Sequence, residues 1–479
     1  MNLVQALRVS SAPKLVLVGS GGKTTALFKI ANQLPKPVLV TTTTHLSVEQ
    51  TFFADQHHCV ESIDDLKQLD REMPEAVLLL TGRQTGESRI SGLHPSVLQS
   101  LIRLAHRRKI ALLVEADGAQ KLPLKAPAVH EPAIFPEIWN QDFSDEKQTE
   151  AVKKSRQTLL DAVIVVSGLS GIGKPLTDAW VHRPQEFSRV SGINEGDPVS
   201  IFGLRNVLIH PQGGLKNIPP GVRRVALLNQ FDRLDNKFHT RQLADELINS
   251  FDAAIISSLG GAAKTSKGGY KDINSTFEPE IAGVYEPVAG IILAAGGSQR
   301  MGKPKQLLNW RGQSLIRHVV TNALQANFSP LIVILGAYLE QIKNEIEDLP
   351  VKVVNNENWQ QGQSTSLHVG IDALPKRVGS AVFILADQPM IAPSLLSSLV
   401  DMHAKTLAPI VAPKFFEKRG NPVLFDRDTF SDLKKIHGDV GGRALFDRYQ
   451  VKYLEVEDEQ ILHDIDTLDD YEQLLSSLD

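Results

Sequence analysis

A succession of short, uninterrupted apolar runs limits this chain to a small number of architectures. The runs are rich in β-branched residues, and segments with helical periodicity separate them. They lie at 14–18, 38–42, 76–80, 110–115, 161–166 and 224–228, and again at 288–294, 331–335, 351–354, 381–385 and 409–412. Strands that alternate with helices form parallel sheets, and strands without polar alternation suit sheets covered on both faces. The sequence therefore predicts an α/β protein.

A polar stretch from about Thr265 to Pro287 divides the chain. Its sequence, TSKGGYKDINSTFEPEIAGVYEP, contains glycine and proline and has neither helical nor strand periodicity. Val288 then starts a new apolar strand that is followed by a glycine-rich turn. We predict two domains, 1–270 and 288–479, joined by a linker at 271–287. Each domain should contain a mostly parallel sheet flanked by helices.

Composition excludes several classes of protein. The 51 basic and 55 acidic side chains give a formal net charge of −4, which offers no electrostatic footprint for nucleic acid or an anionic membrane. The N-terminus lacks a signal-peptide core, and no apolar run approaches the ~18 residues of a membrane span. Cys59 is the single cysteine, so no internal disulfide can form. We expect a soluble cytoplasmic protein, with His57, His58 and Cys59 in a solvated loop.

The segment Val288–Leu308, VAGIILAAGGSQRMGKPKQLL, is the strongest motif. Ala294 and Ala295 are small enough for the backbone to approach a ligand. Gly296 and Gly297 allow a tight anion-binding loop. Two cations follow at fixed offsets, Arg300 and Lys305, and packing does not require them. A glycine turn alone would be unremarkable, but the complete string predicts a triphosphate site.

Two acidic motifs accompany this loop. Asp387 ends the strand AVFILA, at the edge where α/β sheets bind ligands, and HDIDTLDDY contains Asp464 and Asp466. Considered alone, a carboxylate after a strand often caps the next helix. Beside a triphosphate loop, separate carboxylates suit Mg²⁺, which takes one or two of them together with phosphate oxygens. We predict a magnesium site and assign catalytic roles to Arg300, Lys305 and Asp387.

The motif at 288–308 resembles nucleotidyltransferases that activate sugars, isoprenoid precursors and the molybdenum cofactor. Three further strings resemble the molybdenum cofactor cytidylyltransferase family: GQSTSLHVGI (Gly362–Ile371), RGNPVLF (Arg419–Phe425) and GDVGGRALF (Gly438–Phe446). The resemblance covers nearly all of 288–479. It implies a Rossmann-like nucleotidyltransferase domain that joins CTP to a molybdopterin-type cofactor and releases pyrophosphate. A sugar-phosphate acceptor, or GTP in place of CTP, remains as an alternative.

The same resemblance implies roles for individual residues. The nucleotide phosphates would contact Gly296, Ser298, Arg300 and Lys305, and the base and ribose would lie near Gln363, Ser364 and Ser366. The metal would be held by Asp387 with Asp464 or Asp466, and the pterin would face Asn421, Asp439 and Arg443. The family often has histidine where this chain has Asn421, so the acceptor contact differs at that position.

A second glycine loop opens the N-terminal part, KLVLVGSGGKTTALFKIANQL (Lys14–Leu34). It is a phosphate loop without the first glycine of GxxxxGK[ST], and it resembles the loop of ATP-dependent peptidoglycan ligases. At the start of a helix it predicts these nucleotide contacts: backbone donors at Gly19, Gly21 and Gly22, a phosphate-binding Lys23, and Thr24 on Mg²⁺ with Thr25 beside it. A second string, GLSGIGKP (Gly168–Pro175), has Pro175 in place of the metal-binding hydroxyl, so we predict a structural loop there.

Two further strand ends complete this predicted nucleotide site. Asp117 follows the buried strand of LLVEADGAQ, as a metal-orienting carboxylate would, and Glu115 lies two residues before it. NQFD (Asn229–Asp232) resembles the base-reading NKxD motif of GTP-binding proteins, with glutamine for lysine. A turn capped by Asn229 and Asp232 explains the same four residues. The bound nucleotide could be ATP or GTP.

The string EADGAQKLPLKAPAVHEPAI (Glu115–Ile134) resembles the selenium-dependent hydroxylase accessory protein family, and the likeness extends over most of 10–260. The resemblance implies a context, the maturation of molybdenum hydroxylases, with such an enzyme receiving the product. Lys121, Lys125 and His130 could bind an anionic partner, although loop lysines are usually solvated. Two hypotheses remain for this part: an NTPase that prepares or delivers the cofactor, or a nucleotide-gated binding module without chemistry of its own.

Overall fold

The computed structural model describes residues 1–118, 120–140, 158–237, 239–260, 263–264, 270–271, 280–298 and 301–476. The chain divides into two compact units, Met1–Tyr285 and Glu286–Asp479. In the part of the chain that is described, every helix is too short or too polar to cross a bilayer.

The first unit is built on a nine-stranded sheet. Its strands and those of three small two-stranded sheets are β1 (Lys14–Gly19), β2 (Val38–Thr42), β3 (His45–Ser47), β4 (Gln56–Cys59), β5 (Val77–Thr81), β6 (Arg89–Ser91), β7 (Ala111–Glu115), β8 (Leu124–Lys125), β9 (Ala162–Gly168), β10 (Val181–His182), β11 (Arg223–Asn229), β12 (Ala253–Ser257), β13 (Ala263–Lys264), β14 (Tyr270–Lys271) and β15 (Ile281–Tyr285). The large sheet has the order β15-β12-β11-β9-β1-β7-β2-β5-β4. All its neighbours are parallel except β15, which pairs antiparallel with β12.

Helices cover this sheet and bury its apolar strands. They are α1 (Leu3–Leu7), α2 (Lys23–Gln33), α3 (Ile63–Arg71), α4 (Pro95–Arg108), α5 (Pro184–Ser191), α6 (Ile201–Ile209) and α7 (Thr240–Leu247). In α4, Val97, Leu98 and Leu101 recur at helical spacing and are buried, while the arginines at its C-terminus are exposed. Phe187 of α5 is completely buried in the same core. The core therefore lies between the sheet and the apolar faces of the helices.

Two predictions for the first unit were wrong. His57, His58 and Cys59 belong to β4, the last strand of the sheet, rather than to a loop. β4 lies at the end of the sheet order, beside β5, and most of its side chains are exposed, so it lacks the apolar run from which the other strands were predicted. The predicted linker also includes β15, which closes the other edge of the sheet. The glycine and polar residues around Ile281–Tyr285 concealed this edge strand.

The second unit contains a smaller mixed sheet. Its strands and those of one hairpin are β16 (Val288–Ala294), β17 (Asn309–Trp310), β18 (Gln313–Ser314), β19 (Leu331–Leu335), β20 (Lys352–Asn355), β21 (Ser380–Leu385), β22 (Ile410–Phe415), β23 (Lys418–Arg419), β24 (Val423–Asp426) and β25 (Val451–Glu455). The sheet order is β20-β19-β16-β21-β24-β22-β23, with β25 beside β22. The first four strands are mutually parallel, β22 and β25 are parallel, and β24 and β23 run antiparallel to their neighbours.

The helices of this unit are α8 (Leu315–Leu324), α9 (Leu339–Asn344), α10 (Gln363–Asp372), α11 (Pro393–Thr406), α12 (Phe430–Leu433) and α13 (Leu468–Ser476). The structure confirms the predicted α/β class in both units. Because β16 and β21 are parallel neighbours, the loops that follow Ala294 and Leu385 leave the sheet at the same edge. The predicted phosphate loop and Asp387 are therefore neighbours. The same rule brings the loops after β1, β7, β9 and β11 together in the first unit.

The buried ring of Phe187 provides a test of the first core. Phe187→Ala removes a completely buried ring, so we expect the free energy of unfolding of the first unit to fall by about 3–5 kcal/mol. Phe52, which is 69% exposed in the same unit, is the matched control, and Phe52→Ala should change it by less than about 0.5 kcal/mol. Urea unfolding of the full chain measures both. Equal effects of the two substitutions would contradict the burial of Phe187 in the core.

Candidate functional site

The loop after β16 presents open backbone at one position. Ala294 and Ala295 are buried, whereas Gly296 is exposed, and a Cβ added to it would meet no atom within 4 Å. At Gly297 an added Cβ would lie 2.9 Å from the ring of Trp359. Ser298 has a φ of 49° and turns the chain. Packing thus explains Gly297, and Gly296 leaves space where a ligand could approach the backbone.

A buried glutamine holds this loop in shape. Gln306 is 1% exposed, and its Nε2 donates to the carbonyl oxygens of Ala294 at 3.1 Å and Gly296 at 3.0 Å. The hydroxyl of Ser298 accepts from the backbone N–H of Lys305 at 3.0 Å. Gln306 was not among the residues predicted from the sequence. A polar amide directly after Lys305, in the otherwise apolar end of the motif, was the available signal.

Lys305 joins the loop to the acidic motifs. Its ammonium group forms an ion pair with Asp387 and lies 3.4 Å from Oδ1 of Asp466. It also donates to the carbonyl of Ile465 at 3.3 Å, and the Ile465 N–H in turn donates to the carbonyl of Asp387 at 3.0 Å. The structure therefore brings together Lys305, Asp387 and Asp466, which are far apart in the sequence.

Asp464 lies at the same cluster. Its surroundings partly exclude water, and this exclusion raises the pKa of the Asp464 carboxyl; the charge of Asp387 raises it further. A hydrogen bond of 2.6 Å from Nε2 of the buried Gln388 opposes the rise in pKa. The raised pKa of Asp464 thus results mainly from burial, with a contribution from the nearby carboxylate of Asp387.

The carboxylates of this cluster suit a magnesium ion that is bound jointly with substrate phosphates better than one bound by protein side chains alone. Among the described residues, no group of three or more histidine, cysteine, aspartate or glutamate side chains is arranged to hold a metal. The ammonium of Lys305 lies between Asp387 and Asp466, where a cation balances both carboxylates. Mg²⁺ commonly takes one or two carboxylates and completes its shell with water and substrate phosphates.

The predicted base-binding segment contacts the predicted acceptor loop. Gly362, with a φ of 112°, packs so closely that an added Cβ would lie 2.5 Å from the carbonyl carbon of Gly438. The N–H of Ser364 donates to the carbonyl of Gly438 at 3.2 Å, and the N–H of Gln363 donates to Asp439 at 3.4 Å. Trp359, which packs on Gly297, is three residues before Gly362 and connects this region to the phosphate loop.

The remaining predicted residues differ in exposure. Gln363, Asp439 and Arg443 are exposed, and Asn421 is half-buried. Ser364 and Ser366 are buried, and the Ser366 hydroxyl accepts from Asn356 at 2.9 Å, which gives it a structural partner. Arg300 lies outside the described residues.

In the first unit, tight packing explains the glycines of the N-terminal loop. Gly19, Gly21 and Gly22 have φ values of 97°, 75° and 124°, and a Cβ at any of them would lie 2.1–2.4 Å from another atom. The N–H of Gly19 donates to Asp117 at 2.9 Å and that of Gly21 to the carbonyl of Leu122 at 3.1 Å. These two predicted phosphate donors are therefore already paired within the protein.

The start of α2 keeps its donors available. Gly22 precedes the helix, and no side chain caps it. The first N–H groups of a helix have no partner within the helix, so those of Lys23, Thr24 and Thr25 can bind an anion. Of the predicted phosphate donors, those at the start of the helix are therefore available, whereas those of Gly19 and Gly21 are already paired.

Lys23 and Thr24 lie close to the carboxylates of Glu115 and Asp117. The Lys23 ammonium donates to the Gly19 carbonyl at 2.6 Å and lies 3.1 Å from Asp117 and 3.7 Å from Glu115. Burial lowers the pKa of Lys23, but the charges of Asp117 and Glu115 outweigh it and raise the pKa. Burial raises the pKa of Glu115 in spite of Lys23.

The hydroxyl of Thr24 donates to Glu115 at 3.1 Å and accepts from Gln50 at 2.8 Å. The predicted partner of Thr24 at a magnesium ion was Asp117. The structure instead places Glu115 beside Thr24, because Asp117 is occupied by Gly19, Lys23 and Lys125. Of the two carboxylates, Glu115 fits a metal at Thr24 better.

A buried chain of charges extends from this loop into 115–134. Lys125 lies 2.8 Å from Asp117 and 2.7 Å from Glu131, and Arg183 lies 2.6 Å from the same Glu131. Burial raises the pKa of Glu131, but Arg183 and Lys125 outweigh it and lower the pKa to about 2. From the sequence we expected a solvated Lys125, and neither Glu131 nor Arg183 was among the predicted residues. Lys121, by contrast, is exposed.

The turn after β11 contacts the N-terminal loop directly. Nδ2 of the buried Asn229 donates to the Gly21 carbonyl at 2.8 Å. The adjacent Gln230 accepts from the hydroxyl of Ser170 at 2.6 Å. Ser170 belongs to GLSGIGKP, whose first glycine packs against Gly21. This second glycine string therefore supports the loop, as its prediction as a structural loop implied.

The depressed pKa of Glu131 has a measurable consequence. A carboxylate whose pKa is lowered on folding stabilises the protein above its ordinary value of 4.5 and loses that contribution as the pH falls toward about 2. The difference corresponds to about 3 kcal/mol. Glu131→Gln should lower the free energy of unfolding by about this amount at pH 7, and the deficit should narrow below about pH 4.5.

Urea unfolding between pH 7 and pH 3 measures this effect. The exposed Glu137 is the control, and Glu137→Gln should leave stability unchanged at every pH. A Glu131→Gln deficit that stayed constant down to pH 3 would contradict the ion-pair assignment.

Comparison with known families agrees with this division into two units. Residues 290–453 match the model described as MobA-like NTP transferase domain, and residues 15–139 match the model described as YqeC protein.

Individual relatives cover one part each. The uncharacterized protein YqeC of Escherichia coli K12 is 29% identical over 251 residues, 51% of this chain and 87% of that protein. Nicotine blue oxidoreductase of Paenarthrobacter nicotinovorans is 26% identical over 198 residues, 39% of this chain and 96% of that protein. The crystal structure of Rv0371c from Mycobacterium tuberculosis H37Rv shows 32% identity, covers 40% of this chain and 98% of that one, and has a TM-score of 0.37. The chain thus carries a YqeC domain in its N-terminal part and a MobA-like NTP transferase domain in its C-terminal part.

Proposed function

We propose that the C-terminal unit transfers a cytidylyl group from CTP to the terminal phosphate of a molybdopterin-type cofactor, in a Mg²⁺-dependent reaction that releases pyrophosphate. The observation that carries the proposal is the position of the Lys305 ammonium between Asp387 and Asp466, together with the hydrogen bond from the Lys305 backbone N–H to Ser298, in the same loop as the open backbone of Gly296. This arrangement combines phosphate donors with carboxylates that can share a cation.

The reaction forms one bond and breaks one. A phosphate oxygen of the acceptor attacks the α-phosphorus of CTP, and the bond from that phosphorus to the β-phosphate oxygen breaks in line. Such a transfer needs alignment and charge neutralisation more than covalent chemistry from the protein. Gly296 and Ser298 would bind the triphosphate, and Lys305 would stabilise the charge that develops on the departing pyrophosphate.

Asp387, with Asp464 or Asp466, would hold the magnesium ion. When bound, Mg²⁺ neutralises and polarises phosphate oxygens. The raised pKa of Asp464 supports a cation here, because added positive charge would relieve the repulsion between Asp464 and Asp387.

The choice of CTP and a pterin acceptor rests on the resemblance of Gly362–Ile371, Arg419–Phe425 and Gly438–Phe446 to cytidylyltransferases. The contact of Gln363 with Asp439 supports a shared base and acceptor region. A similar domain occurs in a protein named as an oxidoreductase, so the reaction must be assigned by its products.

An assay of pyrophosphate release by the full chain tests this function. CTP, GTP, ATP and UTP are each supplied with Mg²⁺ and either molybdopterin or a sugar phosphate. We expect release with CTP and molybdopterin, and its loss when the metal is chelated. Preferential release with a sugar phosphate or with GTP would favour the corresponding alternative. No release with any combination would refute nucleotidyl transfer.

Substitutions of Asp387 and Lys305 test whether the transfer reaction takes place at this site. Asp387→Ala and Lys305→Ala should each lower kcat by about 10²–10³-fold, the usual cost of removing one group that stabilises transition-state charge. Lys303 is an exposed lysine in the same motif, and Lys303→Ala should retain full activity. Circular dichroism checks that the folds agree. Near-normal turnover by Asp387→Ala would show that the metal assignment is wrong.

For the N-terminal unit we propose a nucleotide-binding accessory role in the cytoplasmic maturation of a molybdenum hydroxylase. The uncapped start of α2, with Lys23 beside it, supports phosphate binding. Thr24 and Glu115 would hold Mg²⁺. The unit either hydrolyses the nucleotide or uses it to gate the docking of the target enzyme.

Orthophosphate release distinguishes these two versions, because the C-terminal reaction yields pyrophosphate instead. If the unit is an NTPase, the full chain should release orthophosphate from ATP or GTP, and Lys23→Ala should lower the rate by about 10²-fold or more. Lys29, on the same helix, is the control, and Lys29→Ala should have no effect on the rate. Lys23-dependent binding without orthophosphate release would support the gated module. Absence of both would refute the nucleotide site.

A further inference from the structure

We infer that the N-terminal unit selects guanine nucleotides and that the Asp232 carboxylate reads the base. The inference rests on the proposed phosphate site at α2, and it adds the identity of the base and the residue that recognises it.

The sheet topology places two loops beside the phosphate site. β11 and β12 are parallel neighbours, and β11 is separated from β1 by β9 alone. The turns after Asn229 and Ser257 therefore leave the same edge of the sheet as the loop that precedes α2. A nucleotide with its phosphates at the start of α2 can place its base over these turns.

Asn229 fixes the distance between these segments. Its Nδ2 donates to the carbonyl of Gly21 at 2.8 Å, and its Oδ1 accepts from the N–H of Leu259 at 3.0 Å. A Cβ on Gly22 would lie 2.4 Å from the same Nδ2, so the amide fills the groove beside the loop. One buried side chain thus ties the phosphate loop, the β11 turn and the β12 turn together.

Asp232 lies at the surface, in the turn after β11. It lies in the 3-10 turn Phe231–Arg233, and its backbone N–H donates to the hydroxyl of Ser258 at 3.1 Å, in the turn after β12. Its side chain is 27% exposed, and Arg233 is 3.9 Å from its carboxylate. Gln230, in contrast, points to Ser170. The turn is therefore anchored through its backbone, and the carboxylate is weakly engaged.

The chemistry of a carboxylate discriminates between purines. Ionised aspartate only accepts hydrogen bonds, and its two oxygens suit two parallel donors. Guanine presents adjacent N–H donors at N1 and N2. Adenine presents an acceptor at N1, which a carboxylate repels. Asp232 therefore favours guanine, whereas a role limited to turn stability would favour neither base.

Binding of N-methylanthraniloyl-GDP and N-methylanthraniloyl-ADP to the full chain tests the preference. The component of binding that Lys23→Ala removes belongs to the N-terminal site. For that component we expect GDP to bind about 10-fold to 100-fold more tightly than ADP, as for one good bidentate base contact.

A change of specificity tests the residue. Asparagine can donate a hydrogen bond to the O2 of xanthine, so Asp232→Asn should weaken GDP binding and strengthen xanthosine diphosphate binding, each by about 10-fold or more. The exposed Asp235 is the control in the same loop, and Asp235→Asn should change neither affinity. Loss of turn stability alone would weaken all nucleotides together and could not create a preference for xanthine.

The outcomes separate the two levels of the proposal. If no binding depends on Lys23, the phosphate site itself is refuted. If Lys23-dependent binding is equal for GDP and ADP, or if Asp232→Asn does not exchange guanine for xanthine, the base assignment is overturned and the phosphate site stands.

Discussion

The attraction between the Lys305 ammonium and the carboxylates of Asp387 and Asp466 is the interaction on which the C-terminal site depends. Parallel pairing of β16 and β21 forces the two loops that carry Lys305 and Asp387 to one edge of the sheet. Burial raises the pKa of the neighbouring Asp464, and the charge of Asp387 raises it further, because like charges repel each other. The Lys305 ammonium lies between Asp387 and Asp466 and offsets their negative charge.

In the N-terminal unit the negative charge of clustered carboxylates is balanced in a different way. There the acidic side chains are buried, and acidic and basic side chains alternate in one series of ion pairs: Glu115, Lys23, Asp117, Lys125, Glu131 and Arg183. Removing one member of a buried ion pair is costly, because the remaining charge has lost its partner but not its burial. The series links the phosphate loop to the segment Glu115–Ile134. This explains why Lys125 and Glu131 are buried within a segment that contains three prolines.

The apolar strands could be predicted from the sequence because a strand covered on both faces must be apolar throughout. β4 and β15 could not, since an edge strand pairs on one side and tolerates polar residues such as His57. The site shows the same division. From the motifs we predicted that Lys305 and Asp387 lie together, and the structure places them in contact. That Thr24 contacts Glu115 and not Asp117 depends on which carboxylate other partners occupy. The partners of each carboxylate are set by tertiary contacts, which the spacing of residues in the sequence does not predict.

Gln306 has a consequence for how the C-terminal site responds to its surroundings. The amide that holds the carbonyls of Ala294 and Gly296 is neutral, so protons and salt do not alter its bonds. The charges of Lys305 and its carboxylates, in contrast, are screened by ions. Separate side chains therefore determine the conformation of the binding loop and the electrostatic potential around it. A change in ionic strength will alter the potential but leave the conformation unchanged.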